Sequence, residues 1–173
     1  PNAQACAAVV NKTDHMAATP LLFTAITDPL AAGLVDDLAH PAANITGVSN
    51  QMPMDKHLDM LLQFLPDLKV LGVMYNAGEV NSVSNVERLE AAAAERGVEL
   101  LHATVANTAG VPQAAKSLVG RADAVYVPTD NTIVSNIEAV VVVGQDAGLP
   151  LFCADTDSVT RGCIAALGFD YYL

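Results

Sequence analysis

The sequence predicts an α/β protein built on parallel sheet, and three observations carry the prediction. Short apolar runs alternate with longer stretches whose apolar residues recur at helical spacing, the pattern of βαβ units. The helical stretches end on stop signals: Gly97, Gly120 and Gly148 follow three of them, and Pro41 and Pro66 close two others. Five apolar runs finish in a polar cluster that opens the next helical stretch, at residues 23–29, 45–50, 73–82, 125–132 and 151–158. Ligands of open parallel sheets bind outside the carboxyl ends of the strands. The architecture therefore also places a candidate site.

The elements follow in order. Residues 3–11 read as the end of a helix, and residues 21–26 as a buried strand. Asp28 caps a helix with Pro29 at its first position, and that helix is expected to run to about residue 39, before His40 and Pro41. A short strand at 45–48 precedes a helix over 54–64, whose apolar face is Leu58, Leu61, Leu62 and Leu65. Residues 70–75 form a strand, and Asn81 or Ser82 caps a long helix to 96. A strand at 98–105, a helix at 110–119 and a strand at 124–127 come next. Asp130 or Asn131 caps one helix reaching 147; strand 150–153, a helical turn to 160 and strand 163–167 complete the chain. The segment 41–53, with Pro41, Gly47, Pro53 and its asparagines, is the candidate crossing between two lobes.

Composition narrows the function. Apolar residues make up 52% of the 173 positions, yet aromatics are only 5% and Trp is absent. Ala and Val dominate, which suits helices packed closely on a buried sheet. Net charge is −11 with eight Lys and Arg, too few for the basic face that a nucleic-acid partner needs. No apolar run approaches the roughly 20 residues of a membrane span. Cys6, Cys153 and Cys163 form neither a CxxC metal pair nor a disulfide framework. Buried thiols are the first reading, and a bridge between Cys153 and Cys163 the second. No signal peptide is visible, but both ends read as cut from a longer protein, so this is no sign of a cytoplasmic location.

Each polar cluster has a plain reading and a functional one. Thr27, Asp28 and Pro29 are a helix cap, or a helix start whose free N–H groups attract an anion. The loop holding Tyr75, Asn76, Glu79, Asn81 and Ser82 is long for a strand-to-helix connection. It is a solvated loop, or it clasps a ligand, with Asn81 and Ser82 receiving an anionic group. Thr129, Asp130 and Asn131 follow the 124–127 strand; Asp130 either caps the helix or faces the cleft and pairs with an ammonium group. Asp155 and Asp157 lie two apart, a spacing that does not aim both at one bond, so an acid–base dyad is disfavoured. His15, His40, His57 and His102 are scattered without metal-ligand spacing. No GxGxxG, GxxxxGK[ST] or GxSxG motif occurs, and the glycosylation triplet at Asn44 is weak. The inventory holds no catalytic residues, metal site or cofactor site. It suits reversible binding of a small polar molecule. An amino acid fits: its carboxylate on a helix start, its ammonium near Asp130.

The stretch 27–35 (TDPLAAGLV) followed by 41–49 (PAANITGVS) resembles the ABC-transporter substrate-binding proteins that include tryptophan-type binding proteins. Residues 72–76 (GVMYN) with Glu79, Asn81 and Ser82, then 127–132 (VPTDNT), then 168–172 (GFDYY) match in the family's order across nearly the whole chain. The resemblance implies a type I periplasmic-binding-protein fold, two αβα lobes with parallel sheets and hinge crossings, closing on a solute. Residues 1–49 would be a partial N-terminal lobe, 50–161 the C-terminal lobe, and 162–173 a strand leading back to the hinge. The family's first βα units would precede Pro1 and a tail would follow Tyr172, leaving the first lobe incomplete. Thr27, Asp28 and Pro29 would line the first lobe. Tyr75, Asn76, Glu79, Asn81, Ser82, Thr129, Asp130, Asn131 and Asp155 would line the second. The resemblance further implies an exported, often lipid-anchored protein, periplasmic or extracellular, that hands a small solute to a membrane permease. Some similar members take aromatic amino acids. The alternative is a ligand-sensing domain of a regulator or receptor on the same fold. An enzyme using Asp130 and Asp155 is a third reading, disfavoured by the missing nucleophile.

Overall fold

The computed structural model describes residues 19–41 and 44–169. The expected helix at 3–11, Cys6, His15 and residues 170–172 lie outside them. The chain divides into two compact units, Pro1–Met52 and Pro53–Leu173.

In the first unit β1 (Leu21–Ile26) pairs in parallel with β2 (Ile45–Ser49). Gly47 is required there, because a Cβ at that position would collide with the Phe23 carbonyl and ring. The register shifts between Phe23 and Ile26, where Ala25 takes φ 55°. The strand pair is tied at its far end by Ser49 Oγ donating to the Thr27 carbonyl at 3.0 Å.

The helix expected from Asp28 to residue 39 is corrected to a single turn. Its start signal works: Asp28 Oδ1 accepts from the Leu30 and Ala31 amides at 3.1 and 3.0 Å. Gly33 then takes φ 64°, the left-handed conformation that ends helices. Further on, Asp37 Oδ1 accepts from the Ala39 amide at 2.8 Å, a local bond that competes with helix formation.

The second unit is a five-stranded parallel sheet ordered β4-β3-β5-β6-β7. Its strands are β3 (Val70–Asn76), β4 (Glu99–Val105), β5 (Ala124–Val127), β6 (Leu151–Cys153) and β7 (Ala165–Ala166). The last strand is shorter than expected and lies beside β6 at the sheet edge. Two helices, α1 (Met54–Phe64) and α2 (Val80–Arg96), pack on each other. On the other face lie α3 (Val111–Leu118) and α5 (Ile137–Ala147). The short helices α4 (Asn131–Val134) and α6 (Asp157–Thr160) complete the unit.

Strand alternation divides the core. Met74, Val125, Val127 and Cys153 join α3 and α5 in one apolar cluster. The opposite face turns Tyr126 and Phe152 toward α1: Phe152 meets Phe64 at 5.6 Å between ring centroids, and the Tyr126 hydroxyl meets His57 Nδ1 at 2.8 Å. Gly72 lets α3 approach the sheet, since a Cβ there would stand 2.8 Å from Leu118 Cδ1. Cys153 and Cys163 are free, buried thiols.

Two helix boundaries also differ from expectation. The α2 helix starts at Val80 with Glu79 at its cap position, so Asn81 and Ser82 lie inside the first turn instead of capping it. The single helix expected over 131–147 is broken. Asn136, with ψ 32°, separates α4 from α5, and its side chain donates to the Thr108 carbonyl at 3.3 Å. As expected, the glycines at 97 and 148 are left-handed C-caps.

Candidate functional site

The carboxyl ends of β3 and β5, neighbours in the sheet, bring two polar loops together. Their side chains satisfy one another to an unusual degree. Glu79 collects four bonds from the start of α4. Its Oε2 accepts from the Asn131 amide at 3.0 Å and Asn131 Nδ2 at 2.7 Å. Its Oε1 accepts from the Thr132 amide at 3.0 Å and the Thr132 hydroxyl at 2.7 Å. Partial burial pushes the Glu79 carboxyl up, but the four hydrogen bonds together outweigh it and hold the group below its ordinary value.

Asp130 is 1% exposed, and both its oxygens are taken inside the unit. Oδ1 caps α4 by accepting from the Ile133 amide at 2.7 Å. Oδ2 accepts from the Asn76 amide at 2.6 Å and the Ser82 hydroxyl at 2.7 Å. Asp130 thus caps α4, as the first of its two readings has it. Asn76 adds a further cross-brace, donating from Nδ2 to Thr132 Oγ1 at 2.9 Å and accepting from the Gly78 amide at 2.8 Å.

The first turn of α2 grips the same loop from its side. Asn81 Nδ2 and Ser82 Oγ both reach the Thr129 carbonyl, at 2.6 and 3.5 Å. One turn further, Asn85 Nδ2 donates to Thr129 Oγ1 at 2.8 Å. Asn85 was not among the expected site residues, nor was Thr132. The spacing 81, 82, 85 puts three polar side chains on one helical face, a signal visible in the sequence once the helix start is known.

The two helix starts therefore differ. Glu79 and Asp130 already claim the amides of residues 131, 132 and 133 at α4. At α2 the first bonded amide is that of Val83, to the Glu79 carbonyl at 3.0 Å. Among the described residues nothing accepts from the amides of Val80, Asn81 and Ser82, and no acidic side chain occupies that first turn. Such a start attracts an anion.

The remaining expected residues stand apart from this network. Tyr75 packs edge-on against His102 at 5.9 Å, and burial with the nearby Glu90 raises its phenol. Asp155 Oδ2 accepts from the Ser158 amide at 3.1 Å and hydroxyl at 2.6 Å, while no partner of Oδ1 is found among the described residues. Thr27, Asp28 and Pro29 belong to the first unit, where Asp28 caps its turn. Among the described residues no His, Cys, Asp or Glu cluster is able to hold a metal ion.

Residues 2–173 match the family model described as ABC transporter substrate binding protein. The chain belongs to that family. A curated relative, the tyrosine-binding protein of Clostridioides difficile (strain R20291), is 39% identical over 152 residues, covering 88% of this chain and 44% of the relative. The solved conserved domain protein of Vibrio cholerae O1 biovar El Tor superposes with a TM-score of 0.86 at 42% identity, covering 91% of this chain and 54% of that one. The ABC domain from Streptococcus pneumonia solved in complex with L-Trp superposes with a TM-score of 0.83 at 33% identity, covering 87% and 51%. The chain thus spans about half the length of these relatives.

Proposed function

We propose that the protein is the solute receptor of an ABC import system and that its solute is an aromatic amino acid. The observation that carries this reading is the pair of unlike helix starts at the strand ends. The α4 start is filled by the protein's own carboxylates, and the α2 start is left with three unclaimed amides. An α-carboxylate is the complement of the second. The named ligands of two relatives, tyrosine and L-Trp, support the aromatic class.

In this reading the loops at residues 75–82 and 129–132 form a rigid floor beneath the ligand. Asn81, Ser82 and Thr129 surround the carboxylate, Asn131 flanks it, and Asn76, Glu79 and Asp130 hold the floor in shape, with Tyr75 to one side against His102. Asp155, with Oδ1 unclaimed among the described residues, is the second unit's candidate for the ammonium group. Thr27, Asp28 and Pro29 are the first unit's candidate ligand residues. Transport needs no bond made or broken; differential affinity for the closed state drives closure. The family also supports an exported protein, periplasmic or extracellular, delivering solute to a membrane permease, with an anchor supplied by a lipid. No helix among the described residues is long and apolar enough to cross a membrane.

Isothermal calorimetry of the intact protein against the common amino acids tests the reading. One-site binding of tyrosine or tryptophan, without turnover, is expected. Heat from none of the amino acids would overturn the ligand class.

A further inference from the structure

Asn85 is wholly buried, yet its Oδ1 has no hydrogen-bond partner. An orphaned carbonyl of this kind is costly, and its retention needs a reason. The other end of the same amide supplies one. Its Nδ2 donates to Thr129 Oγ1 at 2.8 Å and so fills one acceptor pair of that hydroxyl. A hydroxyl has a single hydrogen to give. None of the described residues accepts that hydrogen, although the Thr129 carbonyl beside it is taken by Asn81 and Ser82. Those two residues form the first turn of α2, so Thr129 packs against the turn with the unclaimed amides through its carbonyl, while its hydroxyl meets Asn85 one turn further along.

We propose that Asn85 is a positioning residue of the ligand site: its amide holds the Thr129 hydroxyl as an acceptor, leaving the hydroxyl hydrogen for the ligand's carboxylate. The inference rests on the amino-acid reading above and deepens it. It assigns the carboxylate a side-chain donor in addition to the helix amides. It also explains the orphaned Oδ1: an amide turned end for end would draw the Thr129 hydrogen inward and remove it from the ligand.

The test is a double-mutant cycle on the intact protein, read by calorimetry with L-tyrosine and L-tryptophan and by thermal unfolding of the unliganded form. Thr129→Val keeps the shape and removes the hydrogen; a loss of about 10- to 100-fold in affinity is expected, the size of one bond to a charged group. Asn85→Leu removes the orphaned carbonyl along with the donor. Its unfolding midpoint is expected to hold or rise while its affinity falls, a split that a purely structural role does not produce. In the Thr129→Val background Asn85→Leu is expected to cost little more, because both act through one hydroxyl. Thr129→Ser, which restores the hydroxyl, should recover binding. Should Asn85→Leu fail to fold, Asn85→Ala completes the same cycle. Losses that multiply, or an Asn85 variant of unchanged affinity, overturn the inference alone. A wild-type protein that binds no amino acid overturns the function reading first, and this inference with it.

Discussion

Glu79 and Thr132, 53 positions apart, meet twice through one carboxylate oxygen: Oε1 accepts both the Thr132 amide, at 3.0 Å, and its hydroxyl, at 2.7 Å. With the matching pair at Asn131, this ties the loop after β3 to the loop after β5. The neighbouring strands hold these loops at fixed spacing, and the carboxylate, with the bonds of Asn76 and Ser82 to Asp130 and Thr132, fixes their mutual orientation. Glu79→Gln replaces an acceptor oxygen with a donor facing other donors. A loss of about 1–3 kcal/mol in unfolding free energy is expected from urea titration, together with weaker solute binding. Unchanged stability would mean the clasp is ornamental.

Acid should act on this unit in two overlapping windows. His57 is wholly buried; desolvation lowers its pKa to about 4, against a smaller upward pull from Asp55. The unfolded chain takes the proton more readily, so the contribution is complete above about 6.5 and is lost as pH falls toward 4. A shift of this size corresponds to about 3 kcal/mol. Glu79, held below its ordinary 4.5, contributes stability above that value and loses it as pH falls further, through its folded pKa. Urea midpoints measured across pH should show both phases. His57→Gln should flatten the upper one alone, and Glu79→Gln the lower one alone.

Much of the second unit was legible residue by residue. Gly97 and Gly148 announce left-handed caps because only glycine takes that conformation cheaply. Asp130 announces a cap because a short carboxylate reaches the third amide beyond it. What the residues could not announce is pairing at long range. Glu79 looks like a loop carboxylate until Thr132 is brought beside it, and Asn85 looks like any helix amide until Thr129 is. The break at Asn136 is of the same kind: helical spacing continues through it, while its side chain is drawn to the Thr108 carbonyl. In the first unit, a cap and a proline marked where a helix could begin, but Gly33 ended it within a turn.

Gly72 should tolerate no side chain. A Cβ there stands 2.8 Å from Leu118 Cδ1 and 3.3 Å from the Ala122 Cβ. Leu118 is itself 1% exposed, so it has little room to turn away. Gly72→Ala is expected to cost about 1–3 kcal/mol by overpacking α3 against the sheet. A thermal midpoint equal to wild type would show that α3 shifts freely.

Arg161 and Glu138 form a two-pronged pair, Nε to Oε1 at 2.7 Å and Nη2 to Oε2 at 2.8 Å, joining the end of α6 to the start of α5. The hydrogen bonds from Arg161 bring the Glu138 carboxyl down to about 2. In Arg161→Ala that carboxyl should rise from about 2 toward its ordinary value, still held below it by the hydrogen bond from its own backbone amide, as followed by NMR. Glu138 is solvent-exposed, and exposed pairs contribute little, so the unfolding midpoint should barely move.

Asp130 poses the sharpest choice between a structural and a ligand role. Its carboxylate is 1% exposed and accepts from Ile133, Asn76 and Ser82. Asp130→Asn keeps an oxygen for the Ile133 amide but sets an NH₂ group against the Asn76 N–H. If the residue is a brace, stability falls by about 1–3 kcal/mol, and affinities for tyrosine and for its des-amino analogue fall in the same proportion. If Asp130 instead neutralises the ligand's ammonium, tyrosine loses affinity while the analogue, which has no ammonium, loses none. The ratio of the two dissociation constants therefore separates the roles even when both ligands bind more weakly. The hydrogen bonds favour a constant ratio, because a carboxylate already serving three donors has little left to offer a fourth.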